Sequence, residues 1–510
     1  MSTMPESATS INIQPLKALF HEMVDSIGVA VEEKQAAHLV EKTLWEQLLR
    51  MGHEALGLFF AQSGDGDEGD HVITPDGGKR KRLKELHTRL YLSIFGEFQL
   101  TRYVYGTGEK RKIEYVPLDS QLQLPWEKFS YLLQEWNQTA ALEMPFQQVS
   151  ALLERMLGFR QSVNSLERTN RGCAGAEEEF WQDQPPPPPE KEGKMLVCTA
   201  DGKGVPMRRS KDVEEVKAEI KTKGPRPGDK KMGLIGSVYT VDPYYRTPEE
   251  IVDALFRTEE IDDKAESKRP KPIAKHVRAA LKRDCADTTE PQVREIFGWM
   301  AKEVEQRGQE GKKKLVLLMD GQESLWNAGM EYLPEYKYEV IEVLDLIHAV
   351  SYVWKGVNLL YPNERDQAVK YARDQVSRLV SGKLPSVIQS FRSRGTREQL
   401  SEKQKGELEK IIGYFQKNEA RMHYNEYLTF GYPVASGVIE GACRTVIKDR
   451  MERSGMRWGF AGAHAMMGLR SIHLSELWDE FLAYRIKTEL SDLYPSRAAN
   501  DDVMGITLVA

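Results

Sequence analysis

Two short apolar runs, each followed by an Asp-Gly pair, constrain the fold of this chain most strongly. The first run, Met195–Cys198, leads to Asp201-Gly202, and the second, Leu315–Met319, leads directly to Asp320-Gly321. Each run is long enough for one buried strand and too short for an independent helix. A strand positions the carboxylate at its end, and the glycine leaves room for a ligand beside it. Because Asp-Gly is also a common turn dipeptide, the alternative is that one or both are ordinary turn residues.

A third carboxylate, Glu440, lies in a helix that we predict over residues 436–458. If the fold brings it to Asp201 and Asp320, three oxygen ligands suit Mg²⁺ or Mn²⁺. Two such ions activate a nucleophilic oxygen and stabilise a leaving oxygen at phosphorus. The predicted helix carries an apolar stripe and, beside it, Glu440 followed by cations at helical spacing. The stripe consists of Ile439, Cys443, Ile447 and Met451. The alternative for the charged stripe is i,i+4 ion pairing on a solvated face.

Asp345 and His348 are three positions apart where a predicted strand, 338–346, continues into a predicted helix. This spacing places both side chains on one side of the chain. The histidine is suited to donate to a phosphate or to orient a carboxylate, and the alternative is a hydrogen-bonded histidine at a helix start.

Several segments have the composition of a DNA-binding surface. A helix over 145–157, a break at Gly158 and a second helix capped by Ser162 are typical of a helix-turn-helix, although other helical hairpins share this pattern. Residues 203–231 contain ten Lys or Arg against five Asp or Glu, and residues 441–457 contain five against two. The residues predicted to contact DNA are Asn164, Arg168, Arg171, Lys203, Arg208, Arg209, Arg444, Lys448, Arg450, Arg453 and Arg457.

Composition indicates a globular protein of several domains, since the 510 residues are 40% hydrophobic and 29% charged. No apolar run approaches the ~18 residues of a membrane span, and the N-terminal residues do not resemble a signal peptide. The four cysteines lie far apart, which favours reduced thiols in the cytoplasm and argues against a structural zinc site. There is no G-x-x-x-x-G-K-[ST], G-x-S-x-G or H-E-x-x-H motif.

We predict a mixed α/β, multidomain fold. Residues 95–105 and 112–116 form a predicted hairpin, 232–241 a strand, and 273–308 helix. Five consecutive prolines, Pro185–Pro189, indicate a stiff spacer. The predicted regions are 1–94 (helical), 95–180 (hairpin plus helix-turn-helix), 181–194 (Pro-rich linker), 195–355 (first part of the α/β layer), 356–430 (helical), 431–490 (final helices) and 491–510 (tail).

The chain resembles the Kra-type group of bacterial insertion-sequence Asp-Asp-Glu transposases. The matching phrases are TADGKGVPM at 199–207, GSVYTVDPYYRTPEE at 236–250, LMDGQESLW at 318–326, LDLIHAVSYVWK at 344–355, GYPVASGVIEGACRTVIKDRMERSGMRW at 431–458 and PLDSQLQLP at 117–125. The resemblance implies a ribonuclease-H-like catalytic core with 356–430 as a helical insertion. It also implies Asp201, Asp320 and Glu440 as the catalytic, metal-binding triad. Asp345 and His348 would be an auxiliary Asp-x-x-His signature.

We therefore expect a transposase that uses two Mg²⁺ or Mn²⁺ ions to cleave element ends and join them to target DNA. Relatives often carry cysteines around the N-terminal hairpin, but residues 103–114 contain none, so we expect no zinc. The expected partners are double-stranded DNA and further copies of the chain assembled on it, in the bacterial cytosol at the nucleoid and without a membrane. The alternatives are a ribonuclease-H-like nuclease without strand transfer and a non-catalytic DNA-binding protein derived from a transposase.

Overall fold

The computed structural model describes residues 12–74, 77–107, 112–208, 230–257, 269–283, 290–308, 312–333, 339–398 and 400–495. These residues form two compact units. The first comprises residues up to 173 together with those from 479 onward, and the second comprises 174–478. Among the described helices, none combines the length and the apolar character that crossing a membrane requires.

The first unit contains helices and short antiparallel strands. Its helices are Gln14–Glu32, Ala37–Gln62, Pro117–Gln121, Tyr131–Glu143, Phe146–Leu157 and Val163–Ala174, and the Trp478–Leu493 helix returns to it from the end of the chain. Its strands are β1 (His71–Ile73), β2 (Lys79–Arg82), β3 (His87–Ser93), β4 (Gly96–Arg102) and β5 (Tyr105–Gly106). The two long N-terminal helices were predicted, whereas β1–β3 lie in the region that we predicted to be helical.

The predicted hairpin between 95–105 and 112–116 is present only as one antiparallel bridge among the described residues, and 108–111 of its turn lie outside them. A hairpin is formed by β3 and β4, which pair from His87↔Arg102 to Ser93↔Gly96. Gly96 takes a positive φ of 114° at this tight turn, a conformation that glycine adopts without a steric penalty. On the C-terminal side, Tyr115 makes only an isolated bridge to Tyr105. The geometry of the connecting turn determines which strands pair in a hairpin, and here a candidate turn lies on each side of β4.

The helix pair that resembles a helix-turn-helix consists of Phe146–Leu157 and Val163–Ala174, with Gly158 in the left-handed conformation between them. Asn164, Arg168 and Arg171, which we predicted to contact DNA, are exposed, and Arg168 contacts Glu127 at 2.9 Å. Gln161, two residues before the second helix, is buried. Its amide oxygen accepts a hydrogen bond from Asn137 at 2.9 Å.

The second unit is built on a mixed sheet of five strands. They are β6 (Met195–Pro206), β7 (Lys230–Val241), β8 (Ile273–Leu281), β9 (Lys314–Met319) and β10 (Val340–Leu344), in the spatial order β10-β9-β6-β7-β8. Strand β6 pairs antiparallel with β7 and parallel with β9, and β9 pairs parallel with β10. The apolar runs that we predicted as strands are buried on both faces, as expected for the centre of such a sheet.

Besides the helix of Glu440, described below, α-helices among the described residues of the second unit connect and cover these strands. They are Glu177–Asp183, Pro248–Leu255, Pro291–Arg307, Glu323–Tyr332, Leu346–Leu360, Arg365–Val380, Leu384–Arg397, Glu402–Lys417, Tyr424–Phe430 and Phe460–Leu474. The described residues between 356 and 430 are mostly helical. The prediction of helix throughout 273–308 is wrong for β8. Its alanine and basic residues favour a helix locally, but backbone pairing to β7 prevails.

The predicted 436–458 helix is shorter and irregular. It runs as Gly437–Cys443, continues through a π-helical turn at Arg444–Lys448 and ends with Asp449–Met451. The chain then turns back, so that Trp458 bridges to Met207 beside the end of β6. The predicted apolar stripe, with its members spaced by four, is buried along its whole length.

The proline-rich segment ends in a buried charge cluster. Glu192 contacts the Arg307 guanidinium at 2.7 Å and also pairs with Lys313. Its side chain is 1% exposed. Because burying a carboxylate is costly unless it is paired, these contacts hold the end of the segment to the second unit. The predicted spacer is therefore attached to the α/β layer at its C-terminal end.

Candidate metal centre

The parallel strands β6, β9 and β10 bring three aspartates to one edge of the sheet. Asp201 lies in β6 beyond its last pair with β9, Asp320 follows the last residue of β9, and Asp345 follows the last residue of β10. Because neighbouring parallel strands end on the same side, their C-terminal residues share an edge. Long connections separate these strands along the chain. The carboxylates therefore come together only because the strands pair in one sheet.

Asp345 is completely buried and holds its neighbours in position. Its Oδ1 accepts a hydrogen bond from the backbone N–H of His348 at 2.8 Å, which caps the Leu346–Leu360 helix. Its Oδ2 accepts another from the backbone N–H of Ser436. Burial raises the pKa of Asp345, but the hydrogen bonds from His348 and Ser436 outweigh it, so this pKa lies below its ordinary value. Asp345 is therefore a buried carboxylate anion.

His348 lies between two carboxylates. Its Nδ1 is 3.5 Å from Asp345 Oδ1 and 4.0 Å from Glu440 Oε1. Contact with Asp345 raises the pKa of His348, and the charges of Asp320 and Glu440 act in the same direction. Within the described part of the chain, Nδ1 is buried and has no partner aligned as a hydrogen bond. A buried ring nitrogen without such a partner is available to a ligand.

Glu440 lies in the first turn of the Gly437–Cys443 helix, with its side chain half exposed. Asp345, His348 and Glu440 each offer a ligand atom, and these atoms lie within 4.8 Å of one another. We call these residues the Asp345–His348–Glu440 cluster. Its donors, two carboxylates and one imidazole, could hold a metal ion.

Asp201 and Asp320 lie next to this cluster. Burial raises the pKa of Asp320, and the negative charges of Asp201 and Asp345 contribute, so these carboxylates are near enough to repel one another. Asp320 Oδ1 accepts a hydrogen bond from the backbone N–H of Gln322 at 2.9 Å. Asp201 Oδ1 accepts one from the N–H of Gly202 at 2.7 Å. These bonds orient the carboxylates.

Cys443 connects Asp201 to the helix of Glu440. Its Sγ donates a hydrogen bond to Asp201 Oδ2 over 3.4 Å. Burial raises the pKa of Cys443, and the charge of Asp201 raises it further, so the thiol keeps its proton and acts as a donor. The sequence pattern identified Cys443 only as a core residue. Its spacing of one helical turn from Glu440 is the signal that links it to the site.

The structure thus brings together Asp201, Asp320, Asp345, His348 and Glu440, all predicted from the sequence. The closest group of ligand atoms among the described residues, however, centres on Asp345 and His348, which we had treated as auxiliary. Ser436, whose backbone N–H binds Asp345, was not singled out. The signal available was its position directly before the helix of Glu440.

The predicted DNA contacts around this site divide into exposed and buried residues. Arg444 and Lys448 are exposed on the helix of Glu440, Arg208 is exposed, and Lys203 is partly exposed. Arg453 and Arg457 lie in the turn after this helix, and Arg209 lies outside the described residues. Arg450 is only 1% exposed and lies over the Trp458 ring at 5.0 Å. This contact stabilises the turn that brings Trp458 back toward β6, and the burial of Arg450 excludes it from a DNA-binding surface.

Comparison with protein-family models and comparison with curated proteins both find no match for this chain.

Proposed function

We propose that this protein is a DNA transposase that cleaves phosphodiester bonds at element ends and joins the new 3′ ends to target DNA. One observation carries the proposal: Asp201, Asp320 and Glu440, far apart in the chain, come together beside Asp345 and His348. Clustered carboxylates of this kind are suited to metal-assisted phosphoryl transfer.

The arrangement of the sheet supports a ribonuclease-H-like core. Three antiparallel strands, β6, β7 and β8, continue on one side into the parallel strands β9 and β10. Asp320 and Asp345 follow the ends of β9 and β10, and Asp201 lies in β6 beyond its last pair with β9. The helices of 356–430 precede the helix of Glu440. This order agrees with what the resemblance to Kra-type transposases implies.

The donors present fit divalent ions. Asp201 and Asp320 offer carboxylate oxygens, which Mg²⁺ and Mn²⁺ prefer, while Glu440 and His348 extend the set. When bound, two such ions supply positive charge and polarise oxygens at phosphorus. The chain itself orients the donors: Asp345 positions His348, and Cys443 and Gly202 position Asp201.

Exposed or partly exposed cations extend from this centre. Arg444 and Lys448 follow Glu440 along its helix, and Lys203 lies on β6 two residues after Asp201. Such side chains bind phosphates without reading sequence. In the other unit, Asn164, Arg168 and Arg171 present a polar, basic helix face for base or phosphate contacts. Because a transposase has to hold two element ends at once, we expect a homo-oligomer assembled on DNA.

The test is cleavage and joining of DNA carrying the element's own ends, with Mg²⁺ or Mn²⁺. Asp320→Asn keeps the side-chain shape but removes a metal-binding charge, so we expect product formation to fall at least 100-fold. Asp366→Asn, which changes an exposed aspartate of the Arg365–Val380 helix, is the matched control and should retain activity.

Unaltered activity of Asp320→Asn would refute the proposal. Cleaved but unjoined products from the wild-type protein would instead identify a nuclease. Specific DNA binding without metal-dependent cleavage would identify a DNA-binding protein. Circular dichroism of each variant verifies that it is folded.

A further inference from the structure

A cavity in the second unit lies at the end of β7 and shares no lining residue with the metal centre. Its volume is about 640 Å³, within the range of roughly 300–1,000 Å³ typical of small-ligand pockets. Its walls come from the end of β7, from residues 269–272 before β8, and from residues 431–438. None of the residues that we predicted as catalytic or DNA-binding lines it.

The cavity has an excess of positive charge. Arg246, Arg269 and Lys271 line it, against one lining carboxylate, Asp242. Asp242 Oδ1 accepts a hydrogen bond from the backbone N–H of Lys194 at 3.3 Å. Two guanidiniums and an ammonium around one cavity favour an anionic ligand.

Arg246 is the most informative of these cations. Its Nη2 donates to the backbone oxygen of Tyr432 at 3.4 Å, and its guanidinium lies over the Tyr244 ring at 4.9 Å. Its Nε is buried and has no hydrogen-bond partner among the described residues. Burial lowers the pKa of Arg246, and the like charge of Arg269 lowers it further. Two neighbouring guanidiniums that line one cavity are suited to bind phosphate oxygens.

Aromatic side chains line the same cavity. Tyr244 and Tyr432 contribute to its wall, next to the cations. Aromatic rings stack on nucleobases with little sequence preference, while neighbouring Arg and Lys hold the phosphate. A cavity of this size is large enough for one unpaired nucleotide.

The wall segment 431–438 also connects the cavity to the metal centre. The backbone oxygen of Val434 accepts a hydrogen bond from the N–H of Leu346 at 2.8 Å, and the N–H of Ser436 donates to Asp345. Glu440 follows a few residues later. A strand bound in the cavity is therefore held by the same segment that positions the carboxylates.

We propose that the cavity lined by Arg246, Arg269, Lys271, Tyr244 and Tyr432 binds an unpaired nucleotide, its phosphate on the cations and its base against the aromatic rings. The choice of a DNA strand as the source of this nucleotide rests on the proposed function, while the nucleotide chemistry rests on the cavity alone.

The test measures binding in EDTA, where no metal-dependent cleavage occurs, so it does not depend on transposase activity. The probe is a fluorescein-labelled single-stranded 12-mer, titrated with full-length protein and read by anisotropy. Because Arg246 and Arg269 each bind phosphate in this proposal, Arg246→Gln and Arg269→Gln should each weaken binding about tenfold. Arg397→Gln removes an exposed guanidinium elsewhere and should change binding less than twofold.

A second readout locates the strand directly. A 12-mer containing 5-iododeoxyuridine should photo-crosslink to peptides containing Tyr244 or Tyr432. Competition with dAMP distinguishes the source: full displacement identifies a free nucleotide, and weak displacement a nucleotide within a strand. Arg269 is exposed, so its variant tests the proposal even if Arg246→Gln does not fold. Unchanged affinity of folded Arg269→Gln, or crosslinks confined to other peptides, would overturn it.

Discussion

Asp345 is the residue whose environment defines the site most clearly. Its side chain is 0% exposed, and its two oxygens accept hydrogen bonds from backbone groups of two different segments, at His348 and Ser436. It therefore joins the end of β10, the following helix and the segment before Glu440. A buried carboxylate with two backbone donors is strongly oriented.

We expect Asp345→Asn to lower the free energy of unfolding by about 1–3 kcal/mol, because the amide has one acceptor oxygen and turns an N–H group toward a backbone donor. Urea denaturation followed by tryptophan fluorescence measures this change. The control Asp366→Asn alters an exposed aspartate and should cost less than about 1 kcal/mol. Equal stability of the Asp345→Asn and wild-type proteins would show that the two backbone contacts contribute little.

At the scale of elements, two helices meet behind Asp320. Tyr352 of the Leu346–Leu360 helix and Tyr414 of the Glu402–Lys417 helix stack with ring centroids 3.6 Å apart. Gly321, the residue after Asp320, lies against the Tyr414 ring, and a Cβ added there would be 2.4 Å from it. The helical region therefore packs directly on the turn that carries Asp320, and a side chain at position 321 would overlap the Tyr414 ring.

Gly321→Ala should lower the free energy of unfolding by about 1–3 kcal/mol, since either the stacked tyrosines or the Asp320 turn must shift. The matched control is Gly413→Ala on the same helix as Tyr414, where an added Cβ meets nothing within 4 Å. That change should raise stability by about 0.5–1 kcal/mol, because alanine favours a helix interior. Thermal and urea unfolding measure both, and loss of stability in the control variant alone would contradict this packing.

At the scale of the whole molecule, the second unit contains buried ionisable groups away from the metal centre. Glu177 is 7% exposed, and its carboxylate lies where a side chain at position 468 would otherwise fit. Burial raises the pKa of Glu177 to about 8, and the charge of Arg278 opposes this only in part. The folded protein therefore retains a proton that the unfolded chain loses near pH 4.5.

This difference predicts how stability depends on pH. Between about pH 4.5 and 8 the folded state binds the Glu177 proton and the unfolded state does not, so stability falls as pH rises, by at most about 1.4 kcal/mol per unit. Glu177→Gln should remove this contribution. Urea midpoints from pH 5.5 to 8.5 measure it, with the exposed Glu331→Gln as control. Identical slopes for Glu177→Gln and wild type would exclude a buried protonated Glu177.

The sequence by itself determined those features that local pattern controls. The apolar runs before Asp201 and Asp320 are buried strands, and the four-residue spacing from Ile439 to Met451 marks a buried helix face. The reason is that the periodicity of burial is set by residues close together in the sequence. It does not depend on which remote element supplies the contact.

Only the tertiary structure decided which remote elements meet. Residues 273–281 form a strand because β7 offers backbone partners, and β4 pairs with β3 because of the turn between them. Arg450 is buried because the chain returns to bring Trp458 over it, and Asp345 becomes central because Ser436 donates to it from another segment. Each outcome depends on contacts between residues distant in sequence, whose free energies outweigh local propensity.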